Sequence, residues 1–198
     1  MHSHLVLASA SEIRARLLRD AGLAVEICPA RIDEAAVRAS LADERASPRD
    51  LADLLSELKA RKISERMPEA LVLGADQVLE LDGKVFAKPA SQQDAVAQLT
   101  ALGGRTHRLL SALVVCQAGQ PLWRHVGEVR LTMHPLPEAE IAAHVAAHWQ
   151  SIRHAVGCYR LEDHGARFFS AIEGDYFTVL GLPLIEFLTW LRARGEFA

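Results

Sequence analysis

An α/β fold on a mixed, twisted sheet is predicted from two observations. Short apolar runs alternate with amphipathic helical stripes through the first hundred residues. The middle of the chain then carries two long strand-like runs joined by a tight turn, which adds antiparallel pairing. A chain of 198 residues is long enough for a sizeable core, as one domain over 1–198 or as two small lobes.

Leu5-Val6-Leu7-Ala8 reads as a buried strand. Ser9 and Glu12 follow at capping-box spacing, and Ile13, Leu17, Leu18 and Ala21 keep a helical stripe that Gly22 stops. A strand, a turn and a helix start form a natural anion site, because free N–H groups and the helix dipole point to one spot. Ser9, Ser11 and Arg14 would complete a phosphate cradle there; a well-capped helix is the plainer alternative.

After Val25-Glu26-Ile27, Pro29 opens a polar passage read as a loop that carries Arg31-Ile32-Asp33-Glu34. Ser47-Pro48 starts a helix with Leu51, Leu54, Leu55 and Leu58 inward, flanked by Lys59 and Lys62. Such lysines either lie solvated or reach along the core edge into a cleft.

Leu71-Val72-Leu73-Gly74-Ala75-Asp76-Gln77 reads as a buried strand ending on a carboxylate. Ligands in open α/β sheets bind beyond the carboxyl ends of strands, so Asp76 is a candidate for chemistry; a turn cap or an ion pair is the alternative. The extended run continues to Leu81, turns at Asp82-Gly83 and returns over Lys84 to Ala87. Pairing about that turn sets residues near 77 and 88 opposite each other, which predicts Asp76 and Lys88 as close neighbours.

Ser91 opens a helix with Ala95, Val96, Leu99 and Leu102 inward, closed by Gly103-Gly104. Arg105 to Cys116 and Leu122 to Leu131 read as the two long strands, and Pro137 opens a further helix. His144 and His148 on that helix stand at metal-ligand spacing, but Val145-Ala146-Ala147 between them lacks the glutamate of a zinc protease motif and no third ligand is evident. Strands are expected over Ala155 to Leu161 and Ala166 to Ile172, then Tyr176 to Leu180. Gly181-Leu182-Pro183 starts a final helix with Leu184, Phe187, Leu188 and Leu191 inward.

Composition narrows the function classes. The net charge of −3 leaves no footprint for general nucleic-acid or membrane binding. Three scattered cysteines fit a reducing compartment better than a disulfide scaffold. Met1-His2-Ser3-His4 lacks a signal peptide's basic start and long apolar region, so a soluble cytoplasmic protein is expected.

Taken in order, the motifs resemble the Maf family of septum-formation-inhibitor-like nucleotide pyrophosphatases. Leu7-Ala8-Ser9-Ala10-Ser11-Glu12-Ile13-Arg14 is similar to that family's opening. Asp33-Glu34, Lys59-Ala60, Gly74-Ala75-Asp76-Gln77, Leu81-Asp82-Gly83, Lys88-Pro89, Leu102-Gly103-Gly104-Arg105-Thr106-His107, Gly174-Asp175-Tyr176 and Gly181-Leu182-Pro183-Leu184 follow in family order. The resemblance implies an elongated two-lobed fold with a central cleft and a homodimer. It implies hydrolysis of a nucleoside triphosphate to the monophosphate and pyrophosphate with a divalent metal (Mg, Mn or Co). By motif, Asp76 takes the catalytic carboxylate position with Lys88, Lys59 and Glu34 lining its pocket, and Asp76 and Glu34 would hold the metal. Ser9, Ser11 and Arg14 match the phosphate-binding opening.

Two departures bear on function. Glu12 and Ile13 stand where the family usually has Pro and a first Arg, which removes one phosphate-contacting cation. Gln77 matches the 7-methyl-GTP branch, and Glu162 offers a carboxylate to a guanine edge, while Gly157-Cys158-Tyr159 keeps a tyrosine of the pyrimidine branch. Base preference therefore stays open. The rival readings are a non-catalytic nucleotide-binding regulator of cell division and a metal phosphohydrolase that releases orthophosphate.

Overall fold

Leu5–Leu7 (β1) pairs in parallel with both Val25–Ile27 (β2) and Leu71–Leu81 (β3), which makes one side of the sheet an α/β arrangement. The computed structural model describes residues 3–43 and 46–196; Met1 and His2 of the N-terminal motif lie outside them. Lys84–Phe86 (β4) turns back antiparallel on β3, and Thr106–Gln117 (β5), Gln120–Met133 (β6) and Phe169–Glu173 (β7) complete the sheet in the order β2-β1-β3-β5-β6-β7. β6 and β7 pair antiparallel, so the sheet is mixed, as expected.

Helices Glu12–Asp20 (α1), Glu34–Asp43 (α2), Pro48–Ser64 (α3), Gln92–Leu102 (α4), Glu138–Ile152 (α5), Tyr176–Val179 (α6) and Leu184–Ala193 (α7) connect or flank the strands. α3 starts on a full capping box: Ser47 Oγ accepts from the Asp50 N–H, and Asp50 accepts from the Ser47 N–H. The helix therefore begins where Ser47-Pro48 predicts.

The chain divides into two compact units: Met1–Gln77, Ser111–Gly127 and Gly181–Ala198 form the first, Val78–Leu110 and Glu128–Leu180 the second. In the first, Val6, Ala8, Ile63, Ala70 and Val72 pack β1 and β3 against the end of α3. In the second, Leu79, Leu99, Leu102, Leu131, Ile141 and Phe168 belong to one larger core that joins strands to α4 and α5.

Five expectations are corrected. Tyr176 to Leu180 is not a strand: Asp175 caps a short helix there, α6, by accepting the Phe177 and Thr178 N–H groups. Asp33-Glu34 is not a loop pair: Glu34 is the first residue of α2, and Asp33 Oδ1 caps it by accepting the Ala36 N–H. Ser9 and Glu12 form no capping box; α1 has Ser11 at its N-cap without a side-chain cap bond, and Ser9 Oγ instead accepts the Ser11 N–H. Ala155 to Leu161 is not a strand, because Gly157 and Cys158 both take left-handed backbone (φ 75° and 61°) and fold the segment into a 3-10 turn. Gly157 is required there: a Cβ would meet Leu79 Cδ1 at 2.5 Å and the Tyr159 ring at 2.7 Å. The strand expected over Ala166 to Ile172 is β7 only from Phe169, after a 3-10 turn over His164–Phe168.

Candidate active site

Asp76 lies inside β3, not at its end, three residues beyond the last parallel pair Leu7↔Leu73. It is 6 % exposed, so its charge needs a partner. The partner comes from α3. Lys59 Nζ stands 2.6 Å from Asp76 Oδ1 and 2.7 Å from Glu34 Oε1, and Lys59 is itself only 8 % exposed.

Close approach of α3 to β3 makes that contact. At Gly74 a Cβ would lie 2.0 Å from Ser56 O and 2.6 Å from Ala60 N, so strand and helix touch backbone to backbone on either side of Lys59. Only glycine fits. Glu34 reaches the same point from the first turn of α2, and Arg38 follows one turn later. Arg38 Nη2 is 3.9 Å from both Glu34 Oε2 and Asp76 Oδ2, ion-pair range but longer than a hydrogen bond. Asp76 Oδ2 and Arg38 Nη1 are both buried with no hydrogen-bond partner.

Arg14 is fixed from α1. Its Nε donates to Gly181 O at 2.8 Å, and its Nη1 donates to Ala75 O at 2.8 Å and Ser9 Oγ at 3.3 Å. Gly181 has φ +88°, and a Cβ there would come within 3.1 Å of the guanidinium, so the glycine of Gly181-Leu182-Pro183 clears room for Arg14. Burial pulls the Arg14 pKa below its ordinary value, while the charges of Asp76 and Glu34 push it back up. Arg14 thus stands within electrostatic reach of both carboxylates.

The structure brings Asp76, Lys59, Glu34, Arg14 and Ser9 together through these contacts, with Ser11 at the adjoining N-cap. Gln77 donates its side-chain amide to Ser111 Oγ at 3.0 Å. Lys88 and Glu162 belong to the second unit. The β3–β4 register follows the expected pairing, Leu79↔Phe86 to Leu81↔Lys84, but the ladder stops at Phe86, so Lys88 is exposed and unconstrained by it. Glu162 is held by Arg160, whose Nε and Nη2 both approach Oε1 at 2.9 Å.

Sequence reading missed Arg38. The signal was present: Asp33 as a cap followed by Glu34 and Arg38 four residues apart is a helix-start pattern with an ion pair on one face. His144 turns out to be a core residue. Its Nε2 contacts Cys158 O at 3.2 Å and its ring meets Phe168 edge-on. No group of three His, Cys, Asp or Glu able to hold a metal exists among the described residues.

Comparisons with known proteins converge on one family. The model for the Maf-like protein family matches residues 4–194. A nucleoside triphosphate pyrophosphatase of Roseobacter denitrificans is 55 % identical over 196 residues, 99 % of this chain and 98 % of the relative. One of Jannaschia is 52 % identical over 196 residues, 99 % of each chain. A 7-methyl-GTP pyrophosphatase of Mesorhizobium japonicum is 47 % identical over 195 residues, 98 % of each chain. With a family model that matches residues 4–194 and relatives about half identical over nearly its whole length, the chain belongs to the Maf family.

Proposed function

We propose that this protein is a nucleoside triphosphate pyrophosphatase, which hydrolyses its substrate to the nucleoside monophosphate and pyrophosphate. The observation that carries the chemistry is Asp76: one carboxylate oxygen is locked by Lys59, and the other is buried, without a hydrogen-bond partner, and near a second carboxylate and a guanidinium. Such an oxygen is a ready acceptor for a proton or a ligand for a cation.

The donor set suits a hard divalent ion. Asp76 Oδ2 lacks a hydrogen-bond partner, and Glu34 adds a second carboxylate; magnesium and its relatives take one or two carboxylates together with substrate phosphates. Asp76 and Glu34 would therefore hold Mg, Mn or Co. When bound, such an ion neutralises phosphate charge and lowers the pKa of water. The chain's own groups do the rest. Asp76 orients the attacking water and accepts its proton as the oxygen bonds to the α-phosphorus. The bond to the α–β bridging oxygen breaks, and charge moves onto the pyrophosphate. Lys59 fixes the Asp76 rotamer and balances the two carboxylates, so the acceptor is in place before substrate arrives. The N-terminus of α1, with Ser9, Ser11 and Arg14, favours the phosphate charge. Lys88, in the second unit, is exposed beyond its strand.

For the base, 7-methyl-GTP is one candidate: Gln77 resembles that branch by motif, and a relative named 7-methyl-GTP pyrophosphatase is 47 % identical. The removal of non-standard or excess nucleotides is the role this activity suits. A homodimer in the cytoplasm is the form implied by the family resemblance. The reading as a non-catalytic regulator of cell division has no observation in its favour.

A panel of standard and modified triphosphates, including 7-methyl-GTP, with Mg or Mn and scored for pyrophosphate against orthophosphate, tests the function. Pyrophosphate should be the product, and Asp76→Asn should abolish its release while nucleotide binding survives. Orthophosphate as the product would overturn the reaction, and equal turnover by Asp76→Asn would overturn the role of that carboxylate.

A further inference from the structure

Among the described residues around Asp76, Arg38 is a cation with a buried donor that is not committed. Lys59 spends its charge on both carboxylates at hydrogen-bond distance, and Arg14 spends Nε and Nη1 on two backbone carbonyls and a serine. Arg38 differs. Its Nη2 only stands near Glu34 and Asp76, at 3.9 Å from each, and its Nη1 is buried without a hydrogen-bond partner. A guanidinium has five N–H donors in a planar fork that matches phosphate oxygens, and leaving one buried and unused is costly unless a ligand will take it.

The opening motif supplies the other half of the case. Glu12 and Ile13 bring no cation to the first turn of α1, which leaves Arg14, whose Nε and Nη1 are already engaged. Arg38 presents a guanidinium from α2 beside the same Asp76 whose neighbouring carbonyl, Ala75 O, anchors Arg14. Since the activity proposed above acts on a triphosphate, the inference rests on that reading for its ligand. We propose that Arg38 is a substrate-phosphate contact of this protein. In that role it leaves its long contacts with Glu34 and Asp76 and donates to a phosphate oxygen when substrate binds.

Two opposed signatures follow. A cation that serves phosphate attracts polyphosphate and repels a metal ion from the carboxylates beside it. An arginine that only holds Glu34 and Asp76 in place would, when removed, weaken metal binding and leave polyphosphate binding unmoved. Calorimetry on the intact protein separates the two, with inorganic tripolyphosphate in metal-free buffer as one probe and Mn²⁺ alone as the other. Arg38→Ala should bind tripolyphosphate about 10- to 100-fold more weakly, the range of a lost charge-assisted hydrogen bond. Its Mn²⁺ affinity should be unchanged or tighter, and Arg38→Lys should recover part of the tripolyphosphate binding by restoring the charge without the fork. Unchanged tripolyphosphate affinity, or weaker Mn²⁺ binding in Arg38→Ala, overturns the inference. These are binding measurements, so they stand apart from the triphosphate panel: a wild-type protein that releases no pyrophosphate would defeat the proposed activity without deciding the role of Arg38.

Discussion

Replacing Gly74 by alanine should damage the active site through the fold. A Cβ built there lies 2.0 Å from Ser56 O, about 1.4 Å short of ordinary van der Waals contact, and 2.6 Å from Ala60 N. Both atoms are backbone of α3, so no rotamer change can clear them, and Ala60→Gly cannot rescue the variant. Overpacking of this kind costs about 1–3 kcal/mol and sometimes more; a clash with a buried helix backbone belongs at the upper end, about 3 kcal/mol. With a urea dependence of about 2 kcal/mol per molar, the unfolding midpoint should drop by about 1.5 M. The function should suffer beyond this. Relief of the clash moves α3 away from β3, and Lys59 must then lose its 2.6 Å contact with Asp76 or its 2.7 Å contact with Glu34. Misplacement by about an ångström can cost about a hundredfold in rate, so pyrophosphate release at a denaturant concentration where the variant remains folded should fall on that scale. Urea melts and a steady-state pyrophosphate assay measure the two effects. A Gly74→Ala protein with wild-type midpoint and turnover would refute the claim that backbone contact at this glycine sets the Lys59–Asp76 geometry.

Two other perturbations test parts of the fold away from the carboxylates. Burial holds His107 down to about 4 from an ordinary 6.5, with Nε2 2.7 Å from the Tyr159 hydroxyl and Nδ1 unpaired. The unfolded ring takes a proton below 6.5 whereas the folded one resists until about 4, so stability is intact above that window and is lost as pH falls through it, by up to about 3 kcal/mol. Denaturant midpoints across that range should fall less steeply for His107→Gln, and an unchanged slope would count against the buried neutral ring. Ser47→Ala should remove the capping box of α3 and cost about 1 kcal/mol, read from urea melts, with the Lys59 site still able to turn over substrate. A loss of activity without a loss of stability would place Ser47 in the chemistry instead.

The parts of the fold set by local rules were legible in the sequence. Ser47-Pro48, Ser91, Asp82-Gly83 and Gly22 each mark their boundary within the chain around them, through caps, a proline at a helix start and left-handed glycines. Errors arose where a residue's neighbours come from elsewhere. Alternation alone makes Ala155 to Leu161 a strand, but Gly157 and Cys158 take left-handed backbone and turn the segment, with Leu79 and the Tyr159 ring packed over Gly157. Polar composition made Arg31 to Glu34 a loop, because α2 has a weak apolar stripe, and with the helix went the Glu34–Arg38 spacing that carries Arg38 into the site. Strand position is the wrong ground for the importance of Asp76: it is not a strand terminus but a buried carboxylate past the end of the parallel ladder, met by partners from α2 and α3.

The lysines matched by motif order have different physical situations. Hairpin pairing predicted Lys88 as the neighbour of Asp76, yet the short contact goes to Lys59, because the packing of α3 at Gly74 delivers a buried ammonium while the ladder that would carry Lys88 stops at Phe86. Two carboxylates near one point repel by about 4 kcal/mol at 4 Å in a medium of effective dielectric 20, so the lysine between them is what lets Asp76 and Glu34 share a site before any ligand arrives. A lysine so committed has little freedom to follow a substrate. An exposed lysine such as Lys88 keeps its rotamers and can move to an anion, giving up about 1–2 kcal/mol of side-chain entropy when it does. Lys59 therefore sets the geometry of the resting site, and within the first unit Arg38 is a cation that still has a donor to offer the proposed triphosphate.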